Sequence, residues 1–419
     1  MKVTIRFIGN LLFILILLAA LFSYAMFQGG FVSWFLFYSY LPILLYHLCL
    51  LFYPLNHWKV SRTLPRRIVQ AGDAIDVTIH LERKFPLPLY YGVVEEIMPA
   101  TWNRLHHDYA FLNEPDHVTI DRTVKKMKMI GFKKQLEISY RLENLPRGEL
   151  ELQGVRVFIS DVFGFVKKEH IFPVQDELIV QPNTREIRLL DRAVSFEQGQ
   201  QVVNLFQLEN TNVATGVREY APGDRFSWIH WKQTAKNQSV MTKEFEQARS
   251  DSLFILLDAC IPKRKNPLAF EASVELTLSL IKKLEKGTTN IELLTVGKET
   301  KEFTLRESNQ GKSDIRYYLT KIQPDGDGPF SGALKELMLT EKRMERLVII
   351  TSTVDDFFRQ TIQELRQRTA QIVIFYIQGS KFILEKEQDM IAQIKKSGIA
   401  IHLLTEKEWL TTPLEVSIR

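Results

Sequence analysis

The fold class predicted for this chain is multi-domain: two N-terminal transmembrane helices, an antiparallel β-sandwich, and a C-terminal doubly wound α/β domain. Three observations predict it. From Phe7 through Trp58 there is no Lys, Arg, Asp or Glu; from about Ile75 to Ile159 apolar residues recur at every second position; from about Asp251 short continuous apolar runs alternate with helix-periodic stretches. At 419 residues and 45% hydrophobic composition the chain is long enough for two or three cores. The expected boundaries are 1–58 for the hairpin, 59–185 for the sandwich, 186–250 for a junction segment and 251–419 for the α/β domain.

The uncharged region divides into Phe7 to Phe27 and Phe31 to Tyr53, separated by Gln28-Gly29-Gly30. Each segment suffices for a membrane span, which takes about 20 helical residues. A signal peptide has an apolar part of about 7 to 15 residues followed by a cleavage site, and neither trait fits here. Lys2 and Arg6 precede the first segment, Lys59, Arg62, Arg66 and Arg67 follow the second, and the loop between is uncharged. By the positive-inside rule, both ends and the soluble domains are expected in the cytoplasm, with the hairpin in the cell membrane. The four basic residues after the second span suit anionic lipid headgroups, and they account for much of the net charge of +5. No basic stripe with interleaved aromatics follows, so nucleic acid is not an expected partner. His47 is read as hydrogen-bonding a neighbouring helix. Cys49 and Cys260 are too few and too far apart for a disulfide framework or a zinc site.

Beyond the membrane the strand pattern is explicit. Ile75, Val77, Ile79 and Leu81 alternate with polar residues, as do Leu136, Ile138, Tyr140 and Leu142, and Leu150 to Ile159 continues the series. Gly72-Asp73, Pro86, Pro88, Leu145-Pro146 and Pro173 punctuate it, which suggests a sandwich. The loop between carries His106, His107 and Asp108, read as solvated because the other ligands of a metal site are missing.

In the C-terminal part, Leu253 to Leu257, Ile291 to Val296, Leu347 to Ile350, Ile372 to Ile377 and Ile399 to Leu404 suit strands buried on both faces of a parallel sheet. Phe270, Val274, Leu278, Ile281 and Leu284 form one face of a helix, and Thr353-Val354-Asp355-Asp356 reads as a capping box opening a helix through Gln367. Ligands of such a domain are expected at the carboxyl ends of its strands. No G-x-G-x-x-G and no G-x-x-x-x-G-K-[ST] is present, so no nucleotide cofactor is expected.

The segment Val217 to Lys236, VREYAPGDRFSWIHWKQTAK, is the most specific part of the chain. Pro222-Gly223 forces a turn, Asp224 stands where a helix N-cap belongs, and Trp228, Trp231 and Ala235 recur at helical spacing. Read structurally, Asp224 caps the helix, Arg218 pairs with Glu219 or Glu244, and Trp231 enters the core. As a docking surface, the segment offers Trp, Tyr and Arg, with Arg225 exposed after the turn. An acid/base reading pairs Asp224 with His230 beside Thr234, and needs a third group to orient the imidazole that the sequence does not supply.

The same string resembles the R-x-Y-x-x-G-D…I-[HD]-W-K-x-[ST]-A-[RK] hallmark of the domain-of-unknown-function 58 family. Arg218, Tyr220, Gly223, Asp224, Ile229, His230, Trp231, Lys232, Thr234, Ala235 and Lys236 match it. Arg147-Gly148-Glu149-Leu150, Val155 and Asp161 to Phe165 look like an upstream element of that family, so the likeness spans about residues 60 to 352. The C-terminal half is similar to a von Willebrand factor A domain, a type that holds a divalent cation through D-x-S-x-S, a later Thr and an Asp. Here Asp258 keeps the first place, Cys260 and Pro262 replace the serines, Gly328 to Leu334 lacks the Thr, and Ser352 falls near the Asp. No metal is therefore expected, the alternative ligands being Asp325, Asp327, Asp355 and Asp356 on the same rim. The chain is read as a non-enzymatic, membrane-anchored adaptor acting in assembly or maturation of envelope complexes, and the resemblance implies pairing with a MoxR-type AAA+ ATPase, at times beside a transglutaminase-like membrane protein. The rival expectations are a hydrolase using Asp224 and His230, and a divalent-cation-dependent protein-binding module.

Overall fold

The computed structural model describes residues 2–98, 109–113, 124–162, 164–190, 214–221, 224, 226–245, 253–262, 266–285, 290–305, 309–339, 346–369, 371–411 and 413–417. His106, His107 and Asp108 lie outside them, as do Gly223 and Arg225. The chain forms two compact units, Met1–His107 with Val118–Gln181, and Asp108–His117 with Pro182–Arg419.

Unit 1 begins with α1 (Lys2–Gln28) and α2 (Phe31–Phe52), turned by Gly29 and Gly30 at φ 58° and 87°. Positive φ at two successive residues is a conformation that glycine adopts without a Cβ penalty. Ile8–Gln28 and Phe31–Phe52 are long and apolar enough to cross a membrane. The strands follow as β1 (Lys59–Thr63), β2 (Ile68–Gln70), β3 (Ile75–Glu82), β4 (Leu89–Ile97), β5 (Lys125–Gly131), β6 (Gln135–Leu142), β7 (Gly148–Leu152), β8 (Gly154–Ser160), β9 (Lys167–Phe172) and β10 (Asp176–Gln181). They make three sheets, β1-β3-β6, β2-β10-β7 and β5-β4-β8-β9.

The period-two reading places the inward residues correctly: Val77 pairs with Tyr140 and Ile79 with Ile138, all four buried. Two features differ from expectation. β2 and β10 run parallel, so the sheets are not uniformly antiparallel. The stretch Leu150 to Ile159 breaks into β7 and β8 at Gln153, and a Cβ on Gly154 would stand 2.7 Å from the Phe172 carbonyl oxygen. One apolar cluster joins Val77, Leu150, Val157 and Leu178 from the sheets with Leu44 and Leu50 of α2.

Two polar residues of unit 1 depart from their expected roles. Arg62, expected in a lipid-facing basic collar, is buried: its Nη1 donates to Asp176 Oδ2 at 2.9 Å and its Nη2 to Glu96 Oε1. Lys59, Arg66 and Arg67 are exposed. His47, expected to bond a neighbouring helix, has its Nε2 3.0 Å from Asp161 Oδ2, and its Nδ1 meets the Ile43 carbonyl of its own helix at 2.7 Å.

Unit 2 contains β11 (Ile187–Leu190), β12 (Ala214–Glu219), α3 (Trp231–Asn237), β13 (Met241–Phe245), β14 (Leu253–Asp258), α4 (Pro267–Leu284), β15 (Ile291–Val296), β16 (Thr300–Leu305), α5 (Asn309–Lys321), α6 (Phe330–Leu339), β17 (Arg346–Thr351), α7 (Asp356–Arg366), β18 (Gln371–Ile377), α8 (Glu385–Lys396), β19 (Ala400–Leu404), α9 (Glu406–Leu410) and β20 (Leu414–Ser417). Its main sheet has the order β16-β15-β14-β17-β18-β19. Five strands are parallel and coincide with the five apolar runs, while β16 adds an antiparallel edge. Phe254 and Leu256 of β14 join a core with Phe330, Phe358 and Ile394 from α6, α7 and α8. The alternate residues Ile255 and Leu257 are equally buried, and α4 packs on the same strand.

α4 is buried around nearly its whole circumference, with Glu271 and Glu275 among the covered residues. Buried carboxylates require partners, and Arg185 and Tyr109 serve Glu275. Arg185 Nε donates to its Oε1 at 2.6 Å, and the Tyr109 hydroxyl to its Oε2 at 2.5 Å. The Arg185 guanidinium lies over the rings of Tyr109 and Trp409, 5.1 and 4.9 Å from their centroids. A short turn at Tyr109–Asn113 is thereby fixed within unit 2, where the Leu112 carbonyl also accepts from Asn266 Nδ2 at 2.9 Å.

Candidate functional site

The hallmark segment is a β-hairpin carrying an elaborate crossing. β12 and β13 pair antiparallel, and the chain between them is drawn in by the Tyr220 N–H donating to the Val240 carbonyl and the His230 N–H to the Met241 carbonyl, both at 2.8 Å. Ile229 plugs its base, with 6% of its surface exposed. Asp224 caps no helix. Its Oδ2 accepts from Ala221 N at 3.0 Å and its Oδ1 from Arg218 Nη2 at 2.6 Å, while Arg218 Nη1 donates to the Glu219 carbonyl at 3.2 Å. The Ala221 N–H first, then the Arg218 guanidinium, hold the Asp224 carboxyl below its ordinary value. The helix N-cap is His230, whose Nδ1 accepts from Gln233 N at 3.2 Å. Thr234 Oγ1 accepts from Met241 N at 3.0 Å.

These bonds employ the hallmark's polar residues in shaping the turn. A carboxylate held ionised is a poor general acid, and an imidazole accepting at Nδ1 carries its proton on Nε2 and has no base function left at Nδ1. The aromatics are placed differently. Trp231, expected in the core, is 68% exposed, and Phe226, four residues before the His230 cap, is 76% exposed. α3 is a seven-residue helix with no buried residue, so its helical spacing has no core to face. Lys232, Ala235 and Lys236 share that exposure, and Tyr220 lies beside Phe226 with ring centroids 6.4 Å apart. Phe226 was not singled out by sequence reasoning, and its only signal was an aromatic next to a Gly-Asp turn.

At the carboxyl ends of β14, β17 and β18 lies a cleft of about 490 Å³, bordered by Cys260, Pro262, Phe330, Phe357, Leu384 and Lys386. Asp258, at the end of β14, is buried next to this cleft and does not line it. Its Oδ2 accepts from Thr351 Oγ1 at 2.6 Å and Thr353 Oγ1 at 3.2 Å, and its Oδ1 from Cys260 N at 3.0 Å. Gly326 meets Cys260 so closely that a Cβ would stand 3.0 Å from its Cα. Three of the four rim aspartates are separately engaged: Asp325 accepts from Lys298 N, Asp355 caps α7 through Phe358 N, and Asp356 pairs with Lys386 at 2.6 Å. Among the described residues no three His, Cys, Asp or Glu converge. One carboxylate and two hydroxyls do not fit a hard divalent cation, which wants six or more oxygens. Burial, then the Asp258 carboxylate, push the Cys260 thiol up to about 12, so it is no ready nucleophile.

Burial raises the Asp258 carboxyl from 3.8 to about 6 against these hydrogen bonds. With the folded value above the unfolded one, the resulting stability is full below 3.8 and is lost as pH rises to about 6. The loss is on the order of 3 kcal/mol. Asp258→Asn, which does not ionise, is expected to flatten this decline in the melting of unit 2, and millimolar magnesium is expected to leave the wild-type profile unchanged. An unaltered profile in the variant, or a magnesium stabilisation that needs Asp258, contradicts this account.

Residues 216–379 match the family described as Protein of unknown function DUF58. The match contains the hallmark residues 217–236 and the part of the cleft up to Gln378, while Leu384 and Lys386 of the cleft and the upstream element at Arg147 to Phe165 lie outside it. The uncharacterized protein YeaD of Bacillus subtilis (strain 168) is 35% identical over 348 residues, covering 83% of each chain. Likeness to solved structures is slight. The PilB minor pilin from Streptococcus sanguinis gives a TM-score of 0.28 at 9% identity, over 78% of this chain and 86% of that one. A CARDB domain from Pyrococcus furiosus gives 0.19 at 10% identity, over 29% and 91%. With its hallmark hairpin inside the matched region and a relative aligned along most of its length, the chain belongs to the DUF58 family.

Proposed function

We propose that this protein is a non-enzymatic, membrane-anchored adaptor whose hallmark hairpin docks a protein partner. The observation that carries the reading is the exposure of Phe226 and Trp231 beside Lys232 and Lys236, while Asp224, His230 and Thr234 are occupied in holding the turn. Exposed aromatic residues are enriched at protein interfaces, and Trp is among the types that dominate their energetics. The five parallel strands with an antiparallel edge are consistent with a von Willebrand factor A-like domain whose cation site has lost its ligands. Family resemblance supplies the partner: a MoxR-type AAA+ ATPase, with a transglutaminase-like membrane protein as a second candidate.

In this reading α1 and α2 cross the cell membrane and both units face the cytoplasm. Reporter fusions after Lys59 and at Arg419 are expected to report cytoplasm, and a fusion at Gly29 the outside. An external signal at Arg419 contradicts the orientation.

A further inference from the structure

We propose that two loops of unit 1, residues 83–88 and the turn before β9 formed by Asp161, Val162 and Gly164 to Val166, dip into the bilayer and rest at its headgroup and outer acyl boundary. The inference rests on reading α1 and α2 as membrane spans. From Phe31 to His47 the helix rises roughly 24 Å at 1.5 Å per residue. A hydrocarbon core is about 30 Å thick. With the Gly29-Gly30 turn at the far surface, the near boundary falls beside Leu50 and Leu51, one helical turn beyond His47.

At the level of His47, α2 is already covered by the loops. His47 Nε2 meets Asp161 Oδ2 at 3.0 Å, and the Tyr46 hydroxyl donates to the Pro88 carbonyl at 2.9 Å. Phe13 of α1 stacks on Phe165 with centroids 5.7 Å apart. At the end of α2, Lys168 Nζ donates to the carbonyls of Leu51 at 2.7 Å and Tyr53 at 2.6 Å. A lysine on the last carbonyls of a helix satisfies acceptors that would otherwise face a poorly hydrated zone. The loops thus begin inside the boundary.

Their composition suits that depth. Phe85 and Val162 are each 57% exposed and Phe165 is 53% exposed, with Lys84 and Lys167 exposed beside them. Aromatic rings with adjacent lysines fit the interface, where the apolar part enters the acyl region and the ammonium reaches the headgroups. Irregular backbone at this depth must satisfy its polar groups internally. The loop does so on Asp161: Val166 N donates to its Oδ1 at 2.9 Å, and Gly164 N to its carbonyl at 3.3 Å.

The test is collision accessibility of a nitroxide on the full chain in nanodiscs of phosphatidylcholine and phosphatidylglycerol. Labels are placed singly at Phe85→Cys and Val162→Cys in a Cys49→Ser, Cys260→Ser background, with Leu36→Cys as the reference inside the span and Glu143→Cys as aqueous reference. At Phe85 and Val162, the ratio of oxygen to water-soluble nickel-chelate collisions is expected to exceed that at Glu143 several-fold. Chelate access equal to that at Glu143, with Leu36 shielded, overturns the loop proposal and leaves the spans standing. Chelate access at Leu36 as well overturns the spans and the proposal together. Shielding of the loops from oxygen and chelate alike means that protein, not lipid, covers them, and also overturns it.

Discussion

Arg62→Ala is expected to destabilise unit 1 by about 3 to 5 kcal/mol, because it strips a buried acid of its cation. Arg62 and Glu96 both have fully buried side chains, and the Tyr140 hydroxyl donates to the second Glu96 oxygen at 2.6 Å. Arg62 also donates to the Val174 carbonyl at 3.0 Å and to Asp176. One guanidinium fork thereby ties β1 to β4 and to the start of β10, a geometry that an ammonium does not reproduce, so Arg62→Lys is expected to fall between wild type and Ala. Burial already holds the Glu96 carboxyl above its ordinary 4.5, despite Tyr140 and Arg62. Removing Arg62 raises it further. An acid with a raised folded value gives stability that is complete below the unfolded value and is lost as pH climbs through the folded one. The Arg62→Ala deficit is therefore expected to be larger at neutral pH than near 4.5, and Glu96→Gln in the same chain is expected to recover part of it. Hydrogen exchange of the β3 and β6 amides in the full chain reads this unit separately. A loss under about 1 kcal/mol that does not vary with pH contradicts the argument.

What was legible in the sequence followed from local pattern. The five strands of the main sheet were visible because strands buried on both faces need unbroken apolar runs. β16 was missed because its sequence, TKEFTL, is mostly polar, as a sheet edge open to water on one side allows. The start of α7 was marked by Thr353 to Asp356, although the cap proved to be Asp355.

Partners distant in sequence were not legible. Asp161 stands 114 positions from His47, and Tyr109 stands 166 from Glu275. No periodicity reveals such pairs. α4 showed an amphipathic face, yet Arg185, Tyr109 and Trp409 cover what the pattern left polar. Trp231 was misplaced for a related reason: helical spacing identifies a face and does not say whether anything packs on it. In the hallmark, the Arg218 and Asp224 pair, six positions apart, is close enough in sequence to have been weighed beside the cap reading of Asp224.

The central claim is that the hallmark hairpin is a docking surface, and its most direct test is binding of a purified MoxR-type AAA+ ATPase to the full chain in nanodiscs. Phe226→Ala with Trp231→Ala removes two rings that are 76% and 68% exposed and that support no core. Exposed substitutions of this kind change stability by about 0.5 kcal/mol or less. Interface anchors of these residue types contribute about 2 kcal/mol or more, a loss of roughly thirtyfold in affinity. The double variant is expected to melt as the wild type does and to lose at least that much affinity. Wild-type affinity in the folded double variant, or a collapse of the fold on removing the two rings, contradicts the account.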